Sequence, residues 1–347
     1  MSIDQRGADP SLPRSGQGLG GRGEGADPRL VMPYHKLREE TLARDRGLRE
    51  KVMSLEAAAA LIGNGDHVAL GGCHMSRTPC AMIWALIRAR RKDLVVSRSI
   101  ASSESDLLLA AGVTRHIVTS WFSQGLIWGV SKVMRHYTEN KLARFEEWSH
   151  MSMGLRYRAG AMGLPFMPSR SMLGSGVSER LGEGFKTMQC PFTGETLALV
   201  PALNPDWALI HVQRCDPFGN AQIDGLQFMD IDLAMAAKRV ILTTERIVSN
   251  EQIRRTPDLT RIPFFTVEAV VEAPYGCAPH ECYGLYEPFF AHLDDYAHAT
   301  TKDPVKGAAD YLERYFYEPK TWPDCLSRLG VEAVLDASRR GRSVYND

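Results

Sequence analysis

Four groups of residues carry types whose spacing could support chemistry. Gly71 and Gly72 sit in the stretch Gly65–Thr78, GDHVALGGCHMSRT, with Arg77 just behind them. Two adjacent glycines let a ligand approach the backbone closely, and N–H groups beside a helix start favour an anionic or carbonyl oxygen. An arginine fork suits a carboxylate or a phosphate, or simply a surface position at a helix start. Glu104 lies in SSES, between a predicted strand and a predicted helix, and is the candidate nucleophile within the chain. His150 lies in EEWSH, with Ser149 before it, and could act as a base near neutral pH, hydrogen-bond a substrate, or be structural. Cys277, His280 and Cys282 are close enough to suggest a metal site, but zinc would need a fourth ligand and the pattern is not a finger or ribbon. The expectation is therefore no metal. GxSxG, GxxxxGK[ST] and HExxH motifs are missing, and GNGDHV is not a dinucleotide fingerprint.

These residues need a scaffold that presents them from strand ends. His67–Leu70 reads as a short buried strand running into the Gly71–Gly72 turn, with Pro79 opening a helix over 80–91 on a Met82, Ile83, Leu86, Ile87 stripe. Leu94–Ser97 reads as a second strand and Ser97–Ser105 as a serine-rich loop. Residues 116–121 form a third strand, followed by helices over 130–140 and 151–162. Strands follow at 196–201, 207–212, 240–243 and 265–271, with helices at 230–238 and 250–255. Asp230 and Asp232 open one helix and Glu251 another, where negative charge is favourable. Strand–helix alternation of this kind predicts an α/β fold: an open, mostly parallel sheet with helices on both faces. In such sheets ligands bind outside the carboxyl ends of the strands. Trp121, Phe122 and Trp128 bracket Ser123-Gln124-Gly125 and form either an apolar wall for a ligand or ordinary core.

Residues 1–32 are rich in Gly, Pro, Ser, Arg and Asp and read as disordered, and 36–47 as a charged helix. Residues 1–47 thus form a disordered or extended segment. Residues 48–347 form a single domain with a helical C-terminal extension, folded from about Val52. The 347 residues carry 41 basic and 41 acidic side chains, a formal net charge of zero, which gives no reason to expect nucleic acid as partner. Apolar runs fall short of a membrane span, and the N-terminus has neither a secretory apolar core nor a transit-peptide composition. Seven scattered cysteines without a CxxC pair predict free thiols in a reducing cytoplasm.

Several odd, loop-like strings occur together in order: GDHVALGG (65–72) with Arg77 and Pro79, GLPFMP (163–168), GSG (174–176), DIDLAMAA (230–237), SNEQIRR (249–255), VVEAPYG (270–276) and CYGLY (282–286). Over about 50–340 the chain resembles the α (A) subunit of glutaconate-type, class I CoA-transferases. The resemblance implies partnership with a homologous β (B) subunit, in (αβ)2 or larger assemblies. It implies CoA thioesters as substrates, no permanently bound cofactor, and a glutamyl–CoA thioester formed on a glutamate of the β subunit. This chain would then supply backbone donors and part of the CoA and acyl pocket, with Gly71, Gly72, Arg77, Ser102, Ser103, Gln124, Gly125 and Ser149 as candidates. The acyl group is expected to be dicarboxylic or similarly functionalised. Where the family has a glycine-rich loop, this chain has Ser102 and Ser103, with Glu104 at a position that is aspartate in the related α subunits and not their nucleophile. At His150 the transferase α subunits resemble it with a glutamine, and ring-cleaving hydrolase subunits carry a catalytic glutamate. The alternatives are a subunit of an acyl-CoA hydrolase or decarboxylase on the same scaffold, and a non-catalytic acyl-CoA-binding subunit.

Overall fold

The computed structural model describes residues 26–125 and 127–342. Its centre is an all-parallel sheet of seven strands. β1 (His67–Leu70), β2 (Leu94–Ala101), β3 (Thr114–Phe122) and β4 (Arg144–Glu147) step outward from the middle to one edge. An antiparallel sheet of β5 (Phe166–Ser169), β6 (Lys186–Gln189) and β7 (Thr196–Pro201) interrupts the winding. The chain then returns to lay β8 (Trp207–Val212) against the other side of β1. β9 (Arg214–Cys215) and β10 (Ala221–Gln222) join β12 (Thr260–Ile262) in a small antiparallel sheet, while β11 (Arg239–Thr244) and β13 (Val267–Glu272) complete the large one. Winding reverses between β1 and β8, so the crevice outside their carboxyl ends is the topological switch point where open α/β sheets bind ligands.

Side chains along the central strands alternate between two cores, as the two-residue strand period requires. Val68 and Leu70 of β1, with Trp207 and Leu209 of β8, enter one core. Ala69, Ala208, Ile210 and Val212 enter the other. Both faces are covered, which is why these strands read as continuous apolar runs. The helix Cys80–Arg88 is buried continuously from Ala81 to Ile87, a wider face than the expected stripe. Its outer side is covered by the C-terminal helices: the Trp84 indole N–H donates to the Tyr315 carbonyl (3.1 Å), and its ring meets Trp322 edge-on at 6.2 Å. Leu312, Phe316, Trp322, Cys325 and Ala337 belong to the same core, so the C-terminal extension is part of the domain.

Two expectations are corrected here. Ser97–Ser105 is not a loop: β2 runs to Ala101 and a helix starts at Ser103. Its polar residues stay in the strand because Ser97, Arg98 and Ser99 are buried with partners. Ordered packing also begins well before Val52. Leu30 enters the second core, and the buried Asp27 donates its backbone N–H to Glu146 Oε2 (2.8 Å). The charged helix spans Tyr34–Leu42, and residues 1–25 of the segment read as disordered lie outside the described residues. No described helix is long and apolar enough to cross a membrane.

Candidate functional site at the strand carboxyl ends

The sequence offered the Gly71 and Gly72 N–H groups as ligand donors and Arg77 as a ligand fork or a surface residue; in the structure all three are engaged within the chain. The Gly71 N–H donates to the Leu209 carbonyl and the Gly72 N–H to Asp230 Oδ1, each at 2.8 Å, so neither is a free donor. Arg77 is fully buried, with Nη1 2.5 Å from Asp230 Oδ2. It also donates to the carbonyls of His211 (3.2 Å) and Leu226 (2.8 Å). Glycine is needed at 72 because a Cβ there would lie 2.1 Å from the Ser76 carbonyl oxygen, at a φ of +67°. The turn is locked by chain packing, and Asp230 is its counter-ion.

Glu104 is also inward. Its Oε1 lies 2.6 Å from Arg98 Nη1, with both side chains sealed from solvent. The same oxygen accepts from the Ser102 N–H (2.8 Å) and the Ser105 hydroxyl (3.0 Å). Burial, the largest single influence, would raise this carboxyl, but the Arg98 charge and hydrogen bonding, the nearby His280 and the Ser102 N–H together outweigh it and hold Glu104 below the ordinary carboxylate range. Oε2 has no hydrogen-bond partner among the described residues, and neither has the buried Ser102 hydroxyl. Ser103 pairs with His280 Nε2 (2.9 Å), whose Nδ1 meets the Thr78 hydroxyl (2.8 Å). Arg98 Nη2 donates to that same hydroxyl (2.9 Å). Burial lowers His280 to about 3, so it is neutral in this chain of contacts.

Gln124 is turned inward as well, its Nε2 donating to Asp106 Oδ2 (3.0 Å). Gly125 donates to the Ser123 hydroxyl (2.9 Å) at a φ of +103°. Asp106 went unnoticed in the sequence. It is wholly buried and also accepts from the Ser131 hydroxyl and from Tyr296 (3.2 Å). Burial pushes it to about 7 against the pull of these donors. The sequence signal was only an acid in a helix's first turn, since its partners come from three distant segments. The three aromatics part company: Trp121 is exposed, Phe122 packs on Phe145, and the Trp128 indole donates to Asp294 (2.5 Å).

Ser149 caps the helix His150–Met162, accepting from the Ser152 N–H (3.0 Å) and pairing with Ser171 (2.7 Å). His150 is the candidate that faces solvent. It stands at the carboxyl ends of β3 and β4, with Nδ1 3.3 Å from the Ser120 hydroxyl, which itself donates to the Ser99 carbonyl. Trp121 and Met151 beside it are 57% and 61% exposed, and Leu226, next to the Arg77 contacts, is 72% exposed.

The cysteine group is rearranged. His280 turns away to Ser103, while Cys277 and Cys282 meet His211 and Glu245 from the ends of β8 and β11.

The fold and site are those of a doubly wound α/β domain that carries its polar residues at the strand ends. Residues 52–273 match the family model for coenzyme A transferase, and the chain belongs to that family. It is 32% identical over 305 residues to the A chain of the glutaconate CoA-transferase of Acidaminococcus fermentans, covering 82% of this chain and 94% of that one. The crystal structure of that transferase superposes with a TM-score of 0.78 over 83% of this chain and 95% of that one. An uncharacterised protein of Archaeoglobus fulgidus is 35% identical over 86% of this chain, which spans 66% of that longer protein. The crystal structure of a variant of the decarboxylase AibA/AibB matches with 30% identity and a TM-score of 0.67 over 77% of this chain and all of that one.

Proposed function

We propose that the chain is the α subunit of a heteromeric acyl-CoA-transferase, working with a homologous β subunit that contributes the nucleophilic glutamate. The observation that carries this is the burial of Glu104. A carboxylate paired with Arg98, with the same oxygen accepting two further hydrogen bonds, cannot reach a thioester carbonyl without breaking an internal ion pair. Glu104 was the in-chain candidate beside the partner glutamate that the resemblance implies, and its burial favours the partner. An acyl-CoA then passes its acyl group to the partner's glutamate, CoA thiolate attacks the anhydride, and an incoming carboxylate reverses the steps.

This chain supplies the wall of the cleft. The buried Arg77–Asp230 and Arg98–Glu104 pairs fix the strand-end turns, and the exposed His150 offers a ring nitrogen to the acyl group. The exposed Trp121, Met151 and Leu226 around the strand ends suit coverage by the β subunit. The acyl group is dicarboxylic or similarly functionalised, in keeping with the glutaconate CoA-transferase relative.

The test is to reconstitute the chain with its β subunit in the presence of a dicarboxylyl-CoA and an excess of a second carboxylate. Transfer of CoA to the added carboxylate supports the reading. Release of free CoA, with the acceptor unused, assigns the complex to hydrolysis instead. Carbon dioxide release assigns it to decarboxylation.

A further inference from the structure

His211, Glu245, Cys277 and Cys282 come from three separate parts of the chain. His211 is near the end of β8, Glu245 directly follows β11, and the cysteines sit in the excursion after β13. Their ligand atoms all lie within 4.8 Å of one another. His211, Cys277 and Cys282 are wholly buried and the Glu245 side chain is 10% exposed. We propose that these four side chains bind one Zn²⁺ that clamps the 275–286 loop onto the strand ends.

The donor chemistry fits. Two thiolates, an imidazole and a carboxylate are all zinc ligands, and the thiolates disfavour magnesium and calcium. The cysteines are spaced Cys277-x4-Cys282, within the range used by paired zinc thiolates. Tetrahedral coordination with Zn–S of about 2.3 Å and Zn–N or Zn–O of about 2.0–2.2 Å puts the donors about 3.3–3.8 Å apart. The widest separation therefore closes by roughly 1 Å, while the His211–Glu245 contact, at 2.9 Å, opens slightly to admit the ion. Four protein ligands leave no open position, so the ion is structural.

The surroundings already orient each donor. His211 Nδ1 meets the Thr243 hydroxyl (2.9 Å), which leaves Nε2 facing Glu245 (2.9 Å). Glu245 is held by the N–H groups of Tyr275 (2.7 Å) and Gly276 (3.2 Å) and by the Tyr286 hydroxyl (2.5 Å). A Cβ at Gly276 would lie 2.6 Å from the His211 ring, so the loop backbone rests directly on the ligand.

A disulfide would use only the two sulfurs, and a His–Glu pair only the other two groups. A cation would engage all four at once, in place of the hydrogen bonds that link Glu245 to His211, His211 to Cys282 and Cys282 to Cys277. The cysteines bracket His280 and Glu281. These join the loop to Ser103 and Thr78 and, through the Glu281 backbone, to Met75 and Arg77. The ion thus anchors the segment that braces both buried arginine networks. This departs from the metal-free expectation of the sequence, which grouped the cysteines with His280.

The test uses the untagged full-length chain, purified under reducing conditions. Elemental analysis is expected to find about one zinc per chain. Chelator-stripped chain titrated with Co²⁺ is expected to develop visible d–d bands and a sulfur-to-cobalt charge-transfer band, saturating at one equivalent. Those bands disappear in Cys277→Ser and Cys282→Ser and persist in Cys190→Ser, whose thiol lies elsewhere. Should the serine variants fail to fold, the cobalt spectrum of the unaltered chain decides alone. Absence of zinc together with absence of a charge-transfer band overturns the proposal. So does an intact mass, without reductant, that reveals a Cys277–Cys282 disulfide in the native chain.

Discussion

Arg98 and Glu104 form a sealed ion pair, Nη1 to Oε1 at 2.6 Å, at the carboxyl end of the central sheet. Charge on either partner is tolerable only while the other is present, because neither reaches water. Glu104→Gln leaves the guanidinium uncompensated and is expected to cost roughly 3–5 kcal/mol. Urea unfolding of the full-length chain measures this through the midpoint. A loss below about 1 kcal/mol would mean that the pair is solvated and contributes little.

Arg77 and Asp230 are coupled in the same way, with the Gly72 N–H as a third member. Arg77→Met and Asp230→Asn are each expected to destabilise by about 3–5 kcal/mol. The double variant is expected to cost less than the sum, with a coupling of about 1–3 kcal/mol. A double-mutant cycle in urea gives the value, and strict additivity would contradict the shared network.

Asp106 makes stability depend on pH. Its folded pKa, about 7, stands above the ordinary 3.8. The folded chain therefore keeps a proton that the unfolded chain has lost. The resulting stabilisation is complete below pH 3.8 and is lost as pH rises through about 7, at up to about 1.4 kcal/mol per unit. Asp106→Asn stays neutral, so its stability relative to the parent chain rises between pH 5 and 8. Unfolding midpoints of the two proteins across that range check this, and parallel profiles would rule out titration of Asp106.

His150 is exposed, and its protein contact is the Ser120 hydroxyl at 3.3 Å. His150→Ala is expected to leave stability within about 0.5 kcal/mol. In the assembled enzyme it is expected to lower kcat/KM about three- to tenfold, the worth of one hydrogen bond to the acyl group. Steady-state kinetics beside a thermal melt separates the two effects. An unchanged kcat/KM would remove His150 from the site.

The sheet was legible because its strands are buried on both faces and its turns carry glycine. His67–Leu70 and Trp207–Val212 appear where the apolar runs place them. The site was less legible because side-chain direction depends on partners far away in sequence. Gly72 looked like a ligand-binding turn, but its N–H is taken by Asp230, 158 residues away. Glu104 looked poised, yet the charge that holds it, Arg98, lies inside a strand. A charged residue in the middle of a parallel strand is itself a signal that a buried counter-ion exists. His211, inside the apolar run of β8, gave a similar sign that polar partners converge there.

The most direct measurement concerns which subunit carries the covalent intermediate. The proposed complex with a β subunit is incubated with a dicarboxylyl-CoA, reduced with borohydride, and each chain is weighed by intact-mass spectrometry. The predicted result is reduction of a glutamyl thioester on the β subunit, with this chain unmodified. A reduced glutamate at Glu104 would contradict it, because the buried ion pair with Arg98 would then have to open during every turnover.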